Sequence, residues 1–414
     1  MGDIIAMKKI SGQIIKCMCV SLACVITMTA CENSKNTTSD NMAEDKYALS
    51  YNFDSTFTSE NSMSKCNDFA YLAPITGGLF EYDTVENKTV ELPQIPQDNG
   101  DLHFGVINDA QLYDGQIFTS VYYMSNSDNG GNPTKFMLLN PNTGDSKELY
   151  SVEEKYSACR AVISDDGNIF YTANLFGDNN QKNPPEHTDE KGYDISYSLV
   201  KYDTNTKKET TLVNGVNFYY LTGDRIYFDR ISNKNNSVHL YYTTYDDAEN
   251  GKEPIDTGLD VGQHYLGYMW TVKDGIVYYA CDDNKLSSYD TNTKEKADVF
   301  SSDSGIRTFG FWKDKIVFCS RYQDENNIYR SQISIYDTKT KEEKRVSTEV
   351  LNDDKDYDEK TSERPNGFIV SDDLDYFIME VHSVLTTGSK YYKVYEDGTK
   401  EEFFESKWEE EILE

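Results

Sequence analysis

Any chemistry in this chain falls first to its few cationic and imidazole side chains, eight arginines and five histidines among 414 residues. Five of them occupy a recurrent position, just ahead of a short segment with strand character. These are His103 before Gly105-Val106, Arg160 before Ala161-Val162, His264 before Tyr265-Leu266, Arg307 before Thr308-Phe309 and Arg364 before Pro365-Asn366. A guanidinium offers a planar fork of donors that matches a carboxylate, sulfate or phosphate. If the five converge, they form a small cationic funnel for an anionic group. The same arginines could equally pair with Asp or Glu from neighbouring structural units and hold the fold together. Lone histidines are commonly structural or solvent-facing, and three of the five are expected to be so.

Other chemical signals are absent. The sequence has no G-x-S-x-G elbow, H-E-x-x-H helix, P-loop or G-x-G-x-x-G turn. The acidic runs 353–359 and 372–375 lack the glycine-turned spacing of a calcium loop and read as solvated loops. Cys66, Cys159, Cys281 and Cys319 lie far apart without CxxC spacing, which argues against zinc. Outside the cytoplasm they could form two disulfides, and four buried thiols are equally compatible with the sequence. No metal and no cofactor is expected.

The elements that would position these groups are given by a repeat. A strand ending in a Tyr/Asn-Asp/Pro-x-x-Thr turn recurs seven times, at Tyr82, Asn140, Tyr202, Tyr245, Tyr289, Tyr336 and Tyr395. Upstream of each copy stands an Asp/Gly turn running into an aromatic or β-branched strand, as in Asp114-Gly115-Gln116-Ile117-Phe118 and Asp274-Gly275-Ile276-Val277-Tyr278. The turn residues tolerate positive φ or hydrogen-bond their own backbone, and the strands carry Tyr, Phe, Ile and Val. Four antiparallel strands repeated every 40 to 60 residues or so predict an all-β β-propeller, seven blades first, with six or eight as alternatives. Residues 47–54 are expected to add an outer strand to the last blade and lock the ring, a place that 401–406 could also fill.

In such a blade the Asp-Gly and Asp-Thr turns share one face. The loop between the second and third strands and the link to the next blade share the other. The longer insertions fall on this second face, at 126–134, 175–193, 233–236, 322–327 and 351–364. Loops held by a rigid scaffold are where binding usually resides. Tyr265, Tyr268 and Trp270, near one inner strand, could stack on sugar rings, although blade packing is the commoner use of such aromatics.

Residues 68–406 resemble the TolB-like and YWTD-like β-propellers, especially bacterial lipoproteins of unassigned function, through the Tyr-Asp-Thr-x-Thr-Lys segments at Tyr202, Tyr289 and Tyr336. That resemblance implies a fold, and it implies little about activity, because propellers host binding scaffolds, hydrolases and lyases alike.

The N-terminus supplies an address. Lys8, Lys9 and Lys16 precede an uncharged run over 17–30, too short to span a bilayer and suited to a signal-peptide core. It ends in Met28-Thr29-Ala30-Cys31, which resembles a lipobox with Met in place of the usual Leu. The expected organisation is a signal peptide over 1–30, then a lipidated Cys31 with a polar tether over 31–46, then a single propeller over 47–414. The protein is thereby placed on the cell membrane, facing the extracytoplasmic side.

The net charge of -31 excludes a sequence-independent grip on nucleic acid. Aromatic residues at 13% exclude an acidic disordered chain. Two functional classes follow. The first is a non-catalytic, membrane-anchored binding or scaffold propeller for a protein or glycan. The alternative is a propeller lyase or hydrolase acting on an anionic polysaccharide, with His264 or a funnel carboxylate as acid/base.

Overall fold

The computed structural model describes residues 54–55, the strands between 62 and 107, and residues 111–407 apart from 126–133, 141–142, 153–155, 177–186, 264–269, 283, 304, 307, 324–328, 348–362, 371–373 and 384–387. Side chains are described from Gln111 onward, and a few strand segments there are described by backbone alone. The strands belong to the compact unit Asp45–Glu414.

Seven antiparallel sheets follow one another along the chain. A short β1 (Asp54–Ser55) precedes the first, which comprises β2 (Ser62–Cys66), β3 (Phe69–Ala73), β4 (Phe80–Asp83) and β5 (Lys88–Glu91). The second holds β6 (Leu102–Ile107), β7 (Gln111–Tyr113), β8 (Gln116–Ser125), β9 (Thr134–Leu139) and β10 (Ser146–Val152). The third is β11 (Tyr156–Ile163), β12 (Asn168–Asn174), β13 (Tyr197–Asp203) and β14 (Lys208–Asn214). The fourth is β15 (Tyr219–Leu221), β16 (Arg225–Ile231), β17 (Ser237–Thr244) and β18 (Ile255–Gln263), with a one-turn helix α1 (Tyr245–Glu249) between the last two. The fifth is β19 (Trp270–Lys273), β20 (Ile276–Asp282), β21 (Lys285–Asp290) and β22 (Lys296–Ser301). The sixth is β23 (Thr308–Trp312), β24 (Lys315–Gln323), β25 (Tyr329–Asp337) and β26 (Glu343–Ser347). The seventh is β27 (Glu363–Val370), β28 (Tyr376–Ser383), β29 (Gly388–Tyr395) and β30 (Lys400–Lys407). The fold is the all-β propeller that the repeat predicts.

One expected detail is corrected. Instead of adding an outer strand, Asp54 and Ser55 pair with Val370 and Ile369 on β27, at the opposite edge of the last sheet. The outermost place there belongs to β30, which contains 401–406. β30 also packs against β5, so the last sheet meets the first.

The local reason for this architecture lies in two kinds of turn. Asp114-Gly115 and Asp274-Gly275 take positive φ at both residues, 46° and 70° in the first and 53° and 75° in the second. Only a mirror-image turn of this kind matches the twist of a two-residue hairpin. In the Asp-Thr turns the aspartate side chain folds back on its own backbone. Oδ1 of Asp203 accepts from the N–H groups of Asn205 and Thr206, at 2.8 and 3.0 Å. Asp337 does the same for Lys339 and Thr340, at 2.8 and 2.9 Å. The threonine then ties the two turns together. Thr204 Oγ1 donates to the carbonyl of Gly167 at 2.8 Å, and Thr338 Oγ1 donates to that of Asp314 at 2.5 Å. Both turn types therefore stand on one face, here called the turn face, and the described insertion residues 187–193 and 233–236 lie at the other, the insertion face.

The core lies between sheets. Phe118, Phe136 and Leu138 pack on Ile163, Ile169 and Tyr171 of the next sheet. Trp312, Val317 and Ile335 pack on Phe368, Phe377 and Val394. Cys319 is buried in that second layer. An ionic group closes the same junction on the turn face, where the nearly enclosed Lys315 ammonium meets Asp337 at 2.9 Å and Glu396 at 3.1 Å. The loop at 372–375 is likewise structural in the part described. Leu374 is buried with its carbonyl accepting from Trp312 Nε1 at 3.0 Å, and Asp375 pairs with Lys313.

Candidate functional site

The residues nominated from sequence fall at different depths in the strands. His103 and Arg364 are each the second residue of a first strand, β6 and β27 respectively, and Arg364 stands opposite His382. Arg160 lies deeper, in the middle of β11, where the register with β12 shifts on either side of it. Its φ of 53° turns the side chain out of the regular pleat. Cys31, His264 and Arg307, with Tyr265, Tyr268 and the acidic run 353–359, lie outside the described residues.

Arg160 is brought to a node that joins three sheets. Its guanidinium lies 5.3 Å from the centroid of Phe218, which immediately precedes β15 in the next sheet. Tyr219 Oη donates to its carbonyl oxygen, and Phe170 O lies 3.0 Å from the same hydroxyl. Beside it stands Asp229 on β16, only 2% exposed. Asp229 Oδ1 accepts from the Phe218 N–H at 3.0 Å, and its Oδ2 accepts from the indole N–H of Trp270, in the following sheet, at 2.6 Å. Burial pushes the Asp229 carboxyl up to about 6, and Trp270, Asn217, the Arg160 charge and Phe218 limit the rise. Trp270 is thus a packing residue, 3% exposed, with Phe218 and Tyr220 edge-on at 5.8 and 5.2 Å. Arg160 thus faces the Phe218 ring and the Asp229 carboxyl, both contributed by the next sheet.

A second arginine, not singled out from sequence, supports the insertion that follows β12. Arg230 lies over Tyr241 at 4.8 Å and over Phe228 at 5.5 Å, and one of its amino groups donates to Asn214 O at 3.0 Å. Gly215 is required at this point. It has φ of 73°, and a Cβ there would stand 3.0 Å from both Asp194 O and Ile195 Cγ2 and 3.4 Å from Arg230 Nε. The close approach lets the insertion sit directly on the blade link.

The described part of that insertion, 187–196, is a small hairpin sewn to the fourth sheet. Ile195 N–H donates to His187 O at 2.8 Å and Asp189 N–H to Tyr193 O at 2.9 Å, which closes the hairpin on itself. Asp194 N–H donates to Ile231 O and Asn233 N–H to Gly192 O, each at 2.9 Å, which fixes it to β16 and the turn beyond. Asn233 Nδ2 adds a bond to Thr188 Oγ1 at 2.7 Å. The Tyr193 ring packs edge-on against His239 at 5.4 Å and Tyr241 at 6.1 Å, and His239 Nε2 is 2.9 Å from Ser237 Oγ. Burial, followed by the bond to Tyr193, pushes the Tyr241 hydroxyl well above its ordinary range, so it stays neutral.

Beside this hairpin, His187 forms an aromatic pair with Phe176, which follows β12. Phe176 is 44% exposed and stacks on His187, with ring centroids 3.8 Å apart and an interplanar angle of 27°. Both flank the part of the insertion outside the described residues. Sequence reasoning placed the insertion on the binding face and left His187 among the scattered histidines. The pairing of two rings eleven positions apart carries no periodic signal. Among the described residues no three His, Cys, Asp or Glu side chains are grouped to hold a metal ion.

Comparison with known proteins gives a fold. No family model matches the sequence and no curated protein matches it. Among solved structures, a prolyl endopeptidase superposes over 88% of this chain at 13% identity, with a TM-score of 0.53. Prolyl oligopeptidase B of Galerina marginata superposes over 88% at 10% identity, with a TM-score of 0.54. This chain spans about half the length of each, 51% and 52% respectively. An oligogalacturonate lyase of Vibrio parahaemolyticus covers 76% of this chain and 81% of its own at 12% identity, with a TM-score of 0.44. What this chain shares with the two peptidases at these identities is the fold, here a β-propeller.

Proposed function

We propose that this protein is a non-catalytic binding propeller of the TolB-like or YWTD-like kind, anchored to the cell membrane through a lipidated Cys31 and facing the extracytoplasmic side. Its insertion face recognises a protein or glycan. The observation that carries this reading is the hairpin at 187–196, which is bonded to β16 and to the turn after it and so holds His187 on a fixed base, stacked on the exposed Phe176 just past the end of β12. A surface made rigid in advance has less freedom to lose on binding. The Met28-Thr29-Ala30-Cys31 segment and the polar tether after it support the anchor. No nucleic acid is expected as a partner, because the net charge of -31 repels phosphate.

Two measurements test the proposal. Mass spectrometry of membrane-purified protein should find a mature N-terminus at diacylated Cys31, and Cys31→Ala should abolish that species. A mature N-terminus at any other residue removes the anchor. For recognition, a glycan array and a cell-surface pull-down with the whole chain should give a ligand whose capture is lost when the hairpin is replaced by a short turn. Capture that survives this replacement places recognition elsewhere.

A further inference from the structure

We infer that Phe176 and His187 form a stacking platform for a neutral sugar ring, so that the ligand of the insertion face is an uncharged carbohydrate; this rests on the reading of that face as the recognition surface. An ordered phenyl ring left 44% exposed retains an unfavourable hydrated apolar surface, and here its backbone is fixed as well. Phe176 N–H donates to Oδ1 of Asn174 at 2.9 Å, and Asn174 is itself fully buried at the end of β12. His187 N–H donates to Ser196 Oγ at 2.9 Å, and Ser196 is held by Asp194 Oδ1 through its own N–H at 2.8 Å. The imidazole stacked at 3.8 Å supports one side of the phenyl ring. The pair is thus ordered from both ends of the insertion.

The size and charge of the platform select the class of ligand. A pyranose presents one C–H face to a single aromatic ring and its hydroxyls to polar groups around it. Thr188, Asp189, Glu190 and Lys191 follow His187 directly in the hairpin and bring polar side chains to this part of the face. A protein partner asks for several apolar anchors within a patch of several hundred Å² per side. Among the described residues the large apolar side chains at the surface are Phe176 and Ile255, and Ile255 begins β18 at the turn face. A uronate or sulfated polymer would meet Asp189, Glu190 and Asp194 against Lys191 on the hairpin, on a chain of net charge -31.

Calorimetric titration of the whole purified chain with malto-, cello-, manno- and N-acetylglucosamine hexaoses, and with hexagalacturonate, tests this. At least one neutral hexaose should bind. Phe176→Ala should weaken it roughly 3- to 10-fold with the unfolding midpoint unchanged, and Phe176→Trp should retain it, as expected for one lost ring stack. The inference is overturned if hexagalacturonate binds more tightly than every neutral hexaose, if Phe176→Ala leaves neutral binding unchanged, or if no saccharide binds. In that last case a photo-crosslinker on Lys191, compared with one on Lys339 of the turn face, separates the two ideas. A protein captured from the Lys191 label alone leaves the recognition face standing without its sugar. Equal capture from both labels, or none from either, removes both.

Discussion

On the turn face, Asp203, Asp290 and Asp337 each accept backbone N–H bonds two and three residues ahead, and those donors hold their carboxyls below the usual range. On the insertion face Asp229 also accepts a backbone N–H, yet enclosure dominates and its carboxyl rises to about 6. The two sets of aspartates therefore oppose one another in their effect on stability. A carboxyl lowered by folding adds stability above its unfolded value of about 4, and that stability is lost as pH falls. For Asp229 the folded state binds its proton more tightly than the unfolded chain does. Between roughly pH 4 and 6 the native protein then holds the extra proton, and stability falls as pH rises through that window. The turn face repeats one local device. The insertion face instead encloses a charge among three sheets, and the cost of that charge is met by specific partners.

The contrast can be broken most sharply at Asp229. Asp229→Ala strands the indole N–H of Trp270 and the N–H of Phe218 in the interior and removes the carboxylate beside Arg160. Urea unfolding should show a loss of about 3–5 kcal/mol. Asp229→Asn keeps an acceptor and removes the titration. Its stability relative to the parent should rise by up to about 3 kcal/mol in going from pH 4 to pH 7, the equivalent of a two-unit shift. By contrast, Asp337→Asn should flatten the loss of stability on the acid side of pH 4. A flat difference for Asp229→Asn would show that Asp229 is not enclosed as described.

Smaller effects separate the two faces further. Gly215→Ala places a Cβ against Asp194 O and Ile195 at positive φ and should cost about 1–3 kcal/mol. Hydrogen exchange should then accelerate at Asp194 and Asn233, whose N–H groups sew the hairpin down, while the Asp-Thr turns remain protected. Thr338→Val removes the hydroxyl that bridges the two turns and should cost about 1 kcal/mol in thermal unfolding, with no effect on ligand binding. Equal loss of binding in both variants would mean that the two faces are coupled through the blades.

Much of the fold was legible because its determinants are local. An Asp-Gly pair at positive φ and an Asp that satisfies N–H groups within three residues leave a mark at fixed spacing, and the repeat follows from it. The place of Asp54, the one described residue of 47–54, was misjudged because a short strand can pair with either exposed edge, and pairing with β27 is decided only when the ring closes. Arg160 was expected where an inner strand begins and lies instead in the middle of β11, and its neighbour Asp229 left no mark in the sequence, since 69 positions separate them. Trp270 could be read either as a sugar platform or as packing, and its bond to Asp229 settles that in favour of packing. The exposed pair, Phe176 and His187, stands in an insertion whose sequence has no period to read.

The sequence by itself determined the class of fold, the face on which the insertions emerge and the acidic surface, because turn chemistry, strand alternation and charge act over a few residues or over the whole chain at once. Tertiary structure alone decided which arginine meets a carboxylate, which aromatic rings are buried and which pair reaches solvent. Those outcomes depend on contacts between different sheets, where burial sets the cost of a charge and the position of one blade against the next decides what pays it.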